Sequence, residues 1–229
     1  MQQNSGEGPI SNPSSLVLPQ MAAWFRTVLF VCCILESSVE STLVQRNRYT
    51  NSFSLARSTR SRVQQLLKKY KEQELGNLDF DGRSQQLTDL PLLSTDFDSW
   101  LQLSDWDRLH AAFLDMQAYW NILERKRVEL EKEEKAHSWL RKTRISLPQR
   151  FKHIQLDLRD LMNQVSSQMR FTRRSWMRPT PAAVHLNSER SPRADWDSRV
   201  EGYVALRDLD LYLTKLARDF LLLASKRHS

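Results

Sequence analysis

Cysteine is nearly absent from these 229 residues: the only two, Cys32 and Cys33, stand side by side in one apolar run. Outside that run there is no thiol, which excludes a disulfide framework and a cysteine nucleophile there. Glycine is scarce as well. Beyond residue 41 it occurs only as Gly76, Gly82 and Gly202, too far apart to form a phosphate-cradling loop. His110, His137, His153, His185 and His228 are scattered without metal-ligand spacing. No Asn-x-Ser/Thr acceptor is present, because Asn12 precedes proline and Asn47, Asn51 and Asn187 lack the hydroxyl residue two positions on, so no N-glycan is expected. No apolar run reaches the roughly 20 residues that a membrane span needs. These absences predict a protein that is not an enzyme and that uses no cofactor and no metal.

What is present begins with a processing signal. Met21 opens a short positively charged segment containing Arg26, followed by the apolar run at 27–35 and by the small-residue stretch Ser37, Ser38, Val39, Glu40 and Ser41. This is the layout of a secretory signal peptide cleaved after Ser41, and the alternative of a retained signal anchor would need a longer span. Residues 1–20, rich in Ser, Asn, Gln, Gly and Pro, read as a disordered upstream extension, with Met21 as the start of translation. The expected organisation is therefore an extension at 1–20, a signal peptide at 21–41 and one secreted, extracellular domain at 42–229. Its 188 residues suffice to bury a core without disulfides. Without Arg26, Glu7, Glu36 and Glu40 the domain keeps 33 basic and 24 acidic residues, a net charge of +9, which suits weak binding to acidic polysaccharide.

Within the domain the periodicity is helical throughout, and nothing reads as a strand. A first helix is predicted over about 53–74, with Ala56, Thr59, Val63, Leu66 and Tyr70 on one face and Gly76 ending it. A second opens with Ser104 as N-cap and Asp107 three residues on, carries Trp106, Leu109, Phe113, Met116, Trp120 and Leu123, and runs into the charged tract at 124–135. That tract reads as a solvated helix end held by opposite charges three and four residues apart. Ser146, Pro148 and Gln149 announce a third helix whose stripe is Leu147, Phe151, Ile154, Leu158, Leu161, Val165 and Met169. The last helix, over 195–229, has two apolar tracks of period seven: Leu206, Leu213 and Phe220, interleaved with Leu209, Leu216 and Leu223. Arg207, Asp208, Asp210, Lys215, Arg218 and Asp219 fill the positions between, and Trp196 lies off the seam.

The links decide the expected topology. Those at 75–103 and 172–194 are long, whereas the one at 136–145 is short. Neighbouring antiparallel helices need only a few residues to turn, but two parallel helices need a crossover as long as the bundle. A helix of about 22 residues is roughly 33 Å long, and the 23 residues at 172–194 reach about 75 Å when extended. Long, short, long predicts an all-α, up-up-down-down four-helix bundle of the long-chain type.

The residues also carry a family resemblance. The pattern Phe97-x-x-Trp100-x-x-Leu103-Ser104-Asp105-x-x-Arg108-Leu109, the Leu-Asp-Leu-Arg-Asp-Leu run at 156–161 and the Trp196-x6-Tyr203 start of the last helix resemble the interleukin-6 family of helical cytokines. The likeness continues through Leu206, Leu209, Leu211, Leu213, Arg218, Leu221, Leu222, Leu223 and the final His228-Ser229. One departure concerns the link before the last helix, which is acidic in the members it most resembles. Here it is basic at Arg173, Arg174, Arg178, Arg190 and Arg193, so any role of the acidic run is not carried over.

The resemblance implies a secreted cytokine subunit that pairs with a soluble, receptor-like beta subunit and signals by bringing class I cytokine receptors together on immune cells. It implies that Phe97, Trp100, Arg218 and Lys226 face the beta subunit and that Trp196 faces the shared signal-transducing receptor. A ligand-specific receptor chain would meet the outward faces of the first and third long helices, where no residues are assigned. For Trp100 and Trp196 the competing reading is a ring plugged into the core. The alternative for the whole chain is an intracellular basic helical protein that binds nucleic acid or another helical partner, which the isoelectric point near 9.6 would suit. Arg141-x-x-Arg144 and Arg170-x-x-Arg173 could serve a processing protease, but they read as ordinary basic surface.

Overall fold

A computed structural model describes residues 17–82, 84–92, 97–136, 145–172 and 192–226. Arg141, Arg144, the link residues Arg173, Arg174, Arg178 and Arg190, and the terminal His228-Ser229 lie outside the described residues. Among the described residues the chain is all-helical: α1 (Val17–Tyr70), a single π-helical turn (Lys71–Leu75), α2 (Phe97–Gln102), α3 (Asp105–Ala136), α4 (Leu147–Thr172) and α5 (Pro192–Ser225).

The chain divides into two compact units, one comprising Met1–Val44 with Arg227–Ser229 and the other Gln45–Lys226. In the first, the described residues are helical, and Trp24, Leu29 and Phe30 are exposed. Among the described residues no helix is long and apolar enough to cross a membrane. The second unit is a helical bundle.

α1 begins far earlier than the expected start near Phe53. No proline or glycine interrupts residues 20–75, and the core-facing stripe extends backwards through Ser52 and Tyr49, both buried. Its end is as expected. Gly76 adopts the left-handed conformation with φ of 62° and donates its N–H to the Lys71 carbonyl, closing the π turn.

The caps expected for α3 and α4 also form. Ser104 Oγ accepts the Asp107 N–H at 3.1 Å, and the Ser146 N–H donates to Gln149 Oε1 at 3.3 Å. The six-residue α2, which stands where a loop was expected, lies two residues ahead of α3.

Every residue of the α4 stripe and both tracks of the α5 seam are buried, as are Leu109, Phe113, Met116 and Leu123 of α3. α3 packs along α4 and α5. α1 joins α4 through Ser52, whose hydroxyl donates to Gln164 Oε1 at 2.6 Å, and through Gln168, whose amide donates to Ser52 Oγ at 2.8 Å and to the Arg48 carbonyl at 3.3 Å. Arg62 pairs with Asp157 farther along the same two helices. α1 meets α5 where Arg60 pairs with Asp210 at 2.9 Å and where the Tyr70 hydroxyl donates to the Arg199 carbonyl at 2.9 Å. Buried polar side chains are tolerated because each of these bonds replaces one to water.

Candidate interaction surfaces

At one end of α5 the bundle holds α2 with a buried charge. Asp219 was expected on the solvated face of the last helix, but it is buried. Its Oδ1 accepts Arg108 Nη1 at 2.6 Å and the Trp100 indole N–H at 2.6 Å. Arg108 closes the triangle by donating Nη2 to the Trp100 carbonyl at 2.5 Å, and its guanidinium carbon sits 4.7 Å from the Trp100 ring centre. The cation is thus shared among a carboxylate, a carbonyl and an indole face through its two terminal nitrogens, while its buried Nε has no hydrogen-bond partner among the described residues.

Trp100 is therefore partly buried and anchored, whereas Phe97, one turn earlier, lies tilted against it at 5.7 Å and is 67% exposed. Lys226 joins the same end by pairing with Asp105 at 2.5 Å, and Arg218 is exposed one residue before Asp219. Trp100 and Lys226, with Phe97 beside them, are thus held at this end by Asp105, Arg108 and Asp219, none of which was expected to contribute to the site.

The other end of α5 is built around aromatic edges. Phe80, from the link that follows α1, presents an edge-to-face contact to Tyr203 at 5.0 Å and another to Trp196 at 6.2 Å. Trp196 is 47% exposed, so the off-seam ring neither fills the core nor stands free. Asp219 and Trp196 are 23 residues apart on one helix, which separates the two ends by about 35 Å.

Beneath Trp196 the charged tract of α3 departs from its expected solvation. Arg127 does pair with Glu124 at 2.5 Å and with Glu131, as the spacing predicts. Lys126 and Glu129, however, are buried. The Lys126 ammonium donates to the Ser198 carbonyl at 3.1 Å and pairs with Glu129 at 3.2 Å, and Ser198 Oγ donates to Glu129 at 2.6 Å. This face of α3 turns toward α5, where Gly202 leaves room for it: a Cβ there would stand 2.3 Å from the Tyr70 hydroxyl and 2.9 Å from Lys126 Cε. Burial, reinforced by the nearby Glu133 carboxylate, pushes the Glu74 carboxyl above its ordinary range. The Arg127 hydrogen bond instead holds Glu124 below its own.

Among the described residues no group of three or more His, Cys, Asp or Glu side chains could hold a metal ion. Compared with protein-family models and with curated proteins, the sequence matches none.

Proposed function

We propose that the chain is a secreted cytokine subunit, an up-up-down-down four-helix bundle of the long-chain type. It pairs with a soluble receptor-like beta subunit and signals by bringing class I cytokine receptors together on immune cells. The topology is supported by the order of the cross-helix bonds. Along α3 and α5 they run from Asp105–Lys226 through Asp115–Lys215 to Lys126–Ser198. Along α1 and α4 they run from Arg48–Gln168 to Arg62–Asp157, and along α1 and α5 from Arg60–Asp210 to Tyr70–Arg199. In each pair the numbers rise on one helix as they fall on the other, an order that supports α1 and α3 sharing a direction opposed by α4 and α5.

The observation that carries the function is the pair of exposed aromatic side chains at opposite ends of α5, Phe97 over Trp100 and Trp196 over Phe80. A bridging protein needs separate contacts for separate partners, and anchored aromatic and arginine side chains dominate such contacts. Phe97, Trp100, Arg218 and Lys226 serve the beta subunit, and Trp196 the shared signal-transducing receptor. The register of tryptophans is similar to that of the alpha subunit of interleukin-27. The protein acts by binding, without cofactor or catalysis. Between positions 45 and 70 α1 carries Arg46, Arg48, Arg57, Arg60, Arg62, Lys68 and Lys69 and no acidic residue, which supports weak binding to acidic polysaccharide.

Co-expression with soluble beta subunits of the interleukin-6 family in animal cells tests this reading. The expected result is co-purification from the medium of a chain whose N-terminus lies near Thr42. A chain that stays in the cytosol with its N-terminus intact would overturn it and favour the nucleic-acid-binding alternative.

A further inference from the structure

We infer that Arg207 is a positioning residue that sets the Trp196 surface by strapping the link after α1 to α5. Its side chain is only 19% exposed. Each of its three nitrogens is engaged: Nη1 donates to the Gly82 carbonyl at 2.5 Å, Nη2 to the Gln85 carbonyl at 2.8 Å, and Nε to Asp208 at 2.8 Å. The Gln85 N–H also donates to the Gly82 carbonyl at 3.0 Å, so a single guanidinium fork holds two backbone positions that are themselves tied together.

Two residues before that turn stands Phe80, wedged edge-on between Tyr203 and Trp196. The fit leaves no slack at Gly82, where a Cβ would lie 3.2 Å from the Phe80 ring and 3.3 Å from the Tyr203 ring. Below, Lys71 places its ammonium 5.2 Å from the Tyr203 ring centre. Phe80 is therefore held by the strap from one side and by Tyr203 from the other, and Trp196 takes its orientation from Phe80. A half-exposed indole on a helix end would otherwise sample several rotamers, and each would have to be given up on binding. Arg207 removes that cost in advance. This rests on the reading of Trp196 as a receptor contact, and it adds a link residue, Phe80, and a half-buried arginine to what sets that contact.

Arg207→Ala and Arg207→Lys in the full chain test it through three measurements. Hydrogen exchange of the 77–90 segment should quicken about tenfold or more in the alanine variant, because a charge-assisted hydrogen bond is worth at least such a factor. Exchange in α3 and α4 should be unchanged. Lysine, which keeps the charge but cannot fork across both carbonyls, should fall between. The Trp196 contribution to the near-ultraviolet circular dichroism, taken as the difference from the same protein carrying Trp196→Phe, should fall in the same order. Capture by the immobilised ectodomain of the interleukin-6 family's shared receptor should weaken in that order too. If Arg207→Ala does not fold, Arg207→Lys carries the test, since it keeps the charge and stem but loses the fork across the Gly82 and Gln85 carbonyls. Exchange and dichroism that match the parent in both variants would overturn the strap. A released strap with undiminished capture, where Trp196→Ala abolishes capture, would overturn the positioning role and leave the receptor reading standing. Capture indifferent to Trp196→Ala would sink the receptor reading, while exchange and dichroism still decide the strap.

Discussion

Arg108 and Asp219 meet at 2.6 Å with side chains only 1% and 7% exposed, so the contact that joins α3 to α5, and on which Trp100 of α2 hangs, is a charge pair withdrawn from water. Breaking such a pair by removing one partner leaves an uncompensated buried charge and costs about 3–5 kcal/mol, whereas replacing both by apolar groups of similar volume is often near neutral. Arg108→Ala and Asp219→Ala should each lower stability by about that amount in urea denaturation. Arg108→Met combined with Asp219→Leu should lose far less than the sum. Additive losses would mean that the two charges do not depend on each other.

On the proposed function, the two ends of α5 should separate assembly from signalling. Trp196→Ala removes a half-exposed ring and should leave secretion and beta-subunit pairing intact. Loss of an interface tryptophan costs about 2 kcal/mol or more, roughly a thirtyfold weakening, and the signalling dose response should shift by that factor. Trp100→Ala should instead weaken co-purification with the beta subunit, because α2 loses the indole that Asp219 holds. A Trp196 variant retained in the cell, or as potent as the parent, would make that ring a structural plug.

Gly202 is required by its surroundings. A methyl group there would press on the Tyr70 hydroxyl from 2.3 Å, so Gly202→Ala should cost about 1–3 kcal/mol, as overpacking does. Tyr70→Phe removes the nearest atom along with its bond to the Arg199 carbonyl, itself worth about 1 kcal/mol. The double variant should therefore be more stable than the two single losses predict when summed. Thermal melting of the four proteins reads the coupling directly.

Glu74 gives a pH dependence of definite sign. Its folded pKa lies above the unfolded value of 4.5, first through burial and then through Glu133. The folded state therefore carries a penalty that is complete above the raised pKa and fades as pH falls toward 4.5. Glu74→Gln should be more stable than the parent at pH near 7, and the difference should shrink on acidification. Denaturation midpoints measured across that window check it, and a constant difference would contradict the assignment.

Local patterns were the legible part of this protein. The α4 stripe, the two tracks of α5, and the caps at Ser104, Ser146 and Gly76 all occur where the sequence predicts them. Each depends only on residues within a turn or two, or on a period repeated often enough to declare a face. α2 was illegible because six residues hold less than two turns, too few to show a period.

Sequence alone thus determined the four long helical stretches, the stripes that α4 and α5 bury and how far each link can reach. Only the tertiary structure decided the rest. Asp219 and Lys126 look from their own helices like solvated charges, and they are buried because Arg108 of α3 meets the first and Ser198 of α5 the second. A charge can leave water only where a partner replaces its hydration, and that partner is chosen by how two helices lie against each other. The same holds for Gly202, whose missing side chain matters only because Tyr70 and Lys126 converge on it from two other helices.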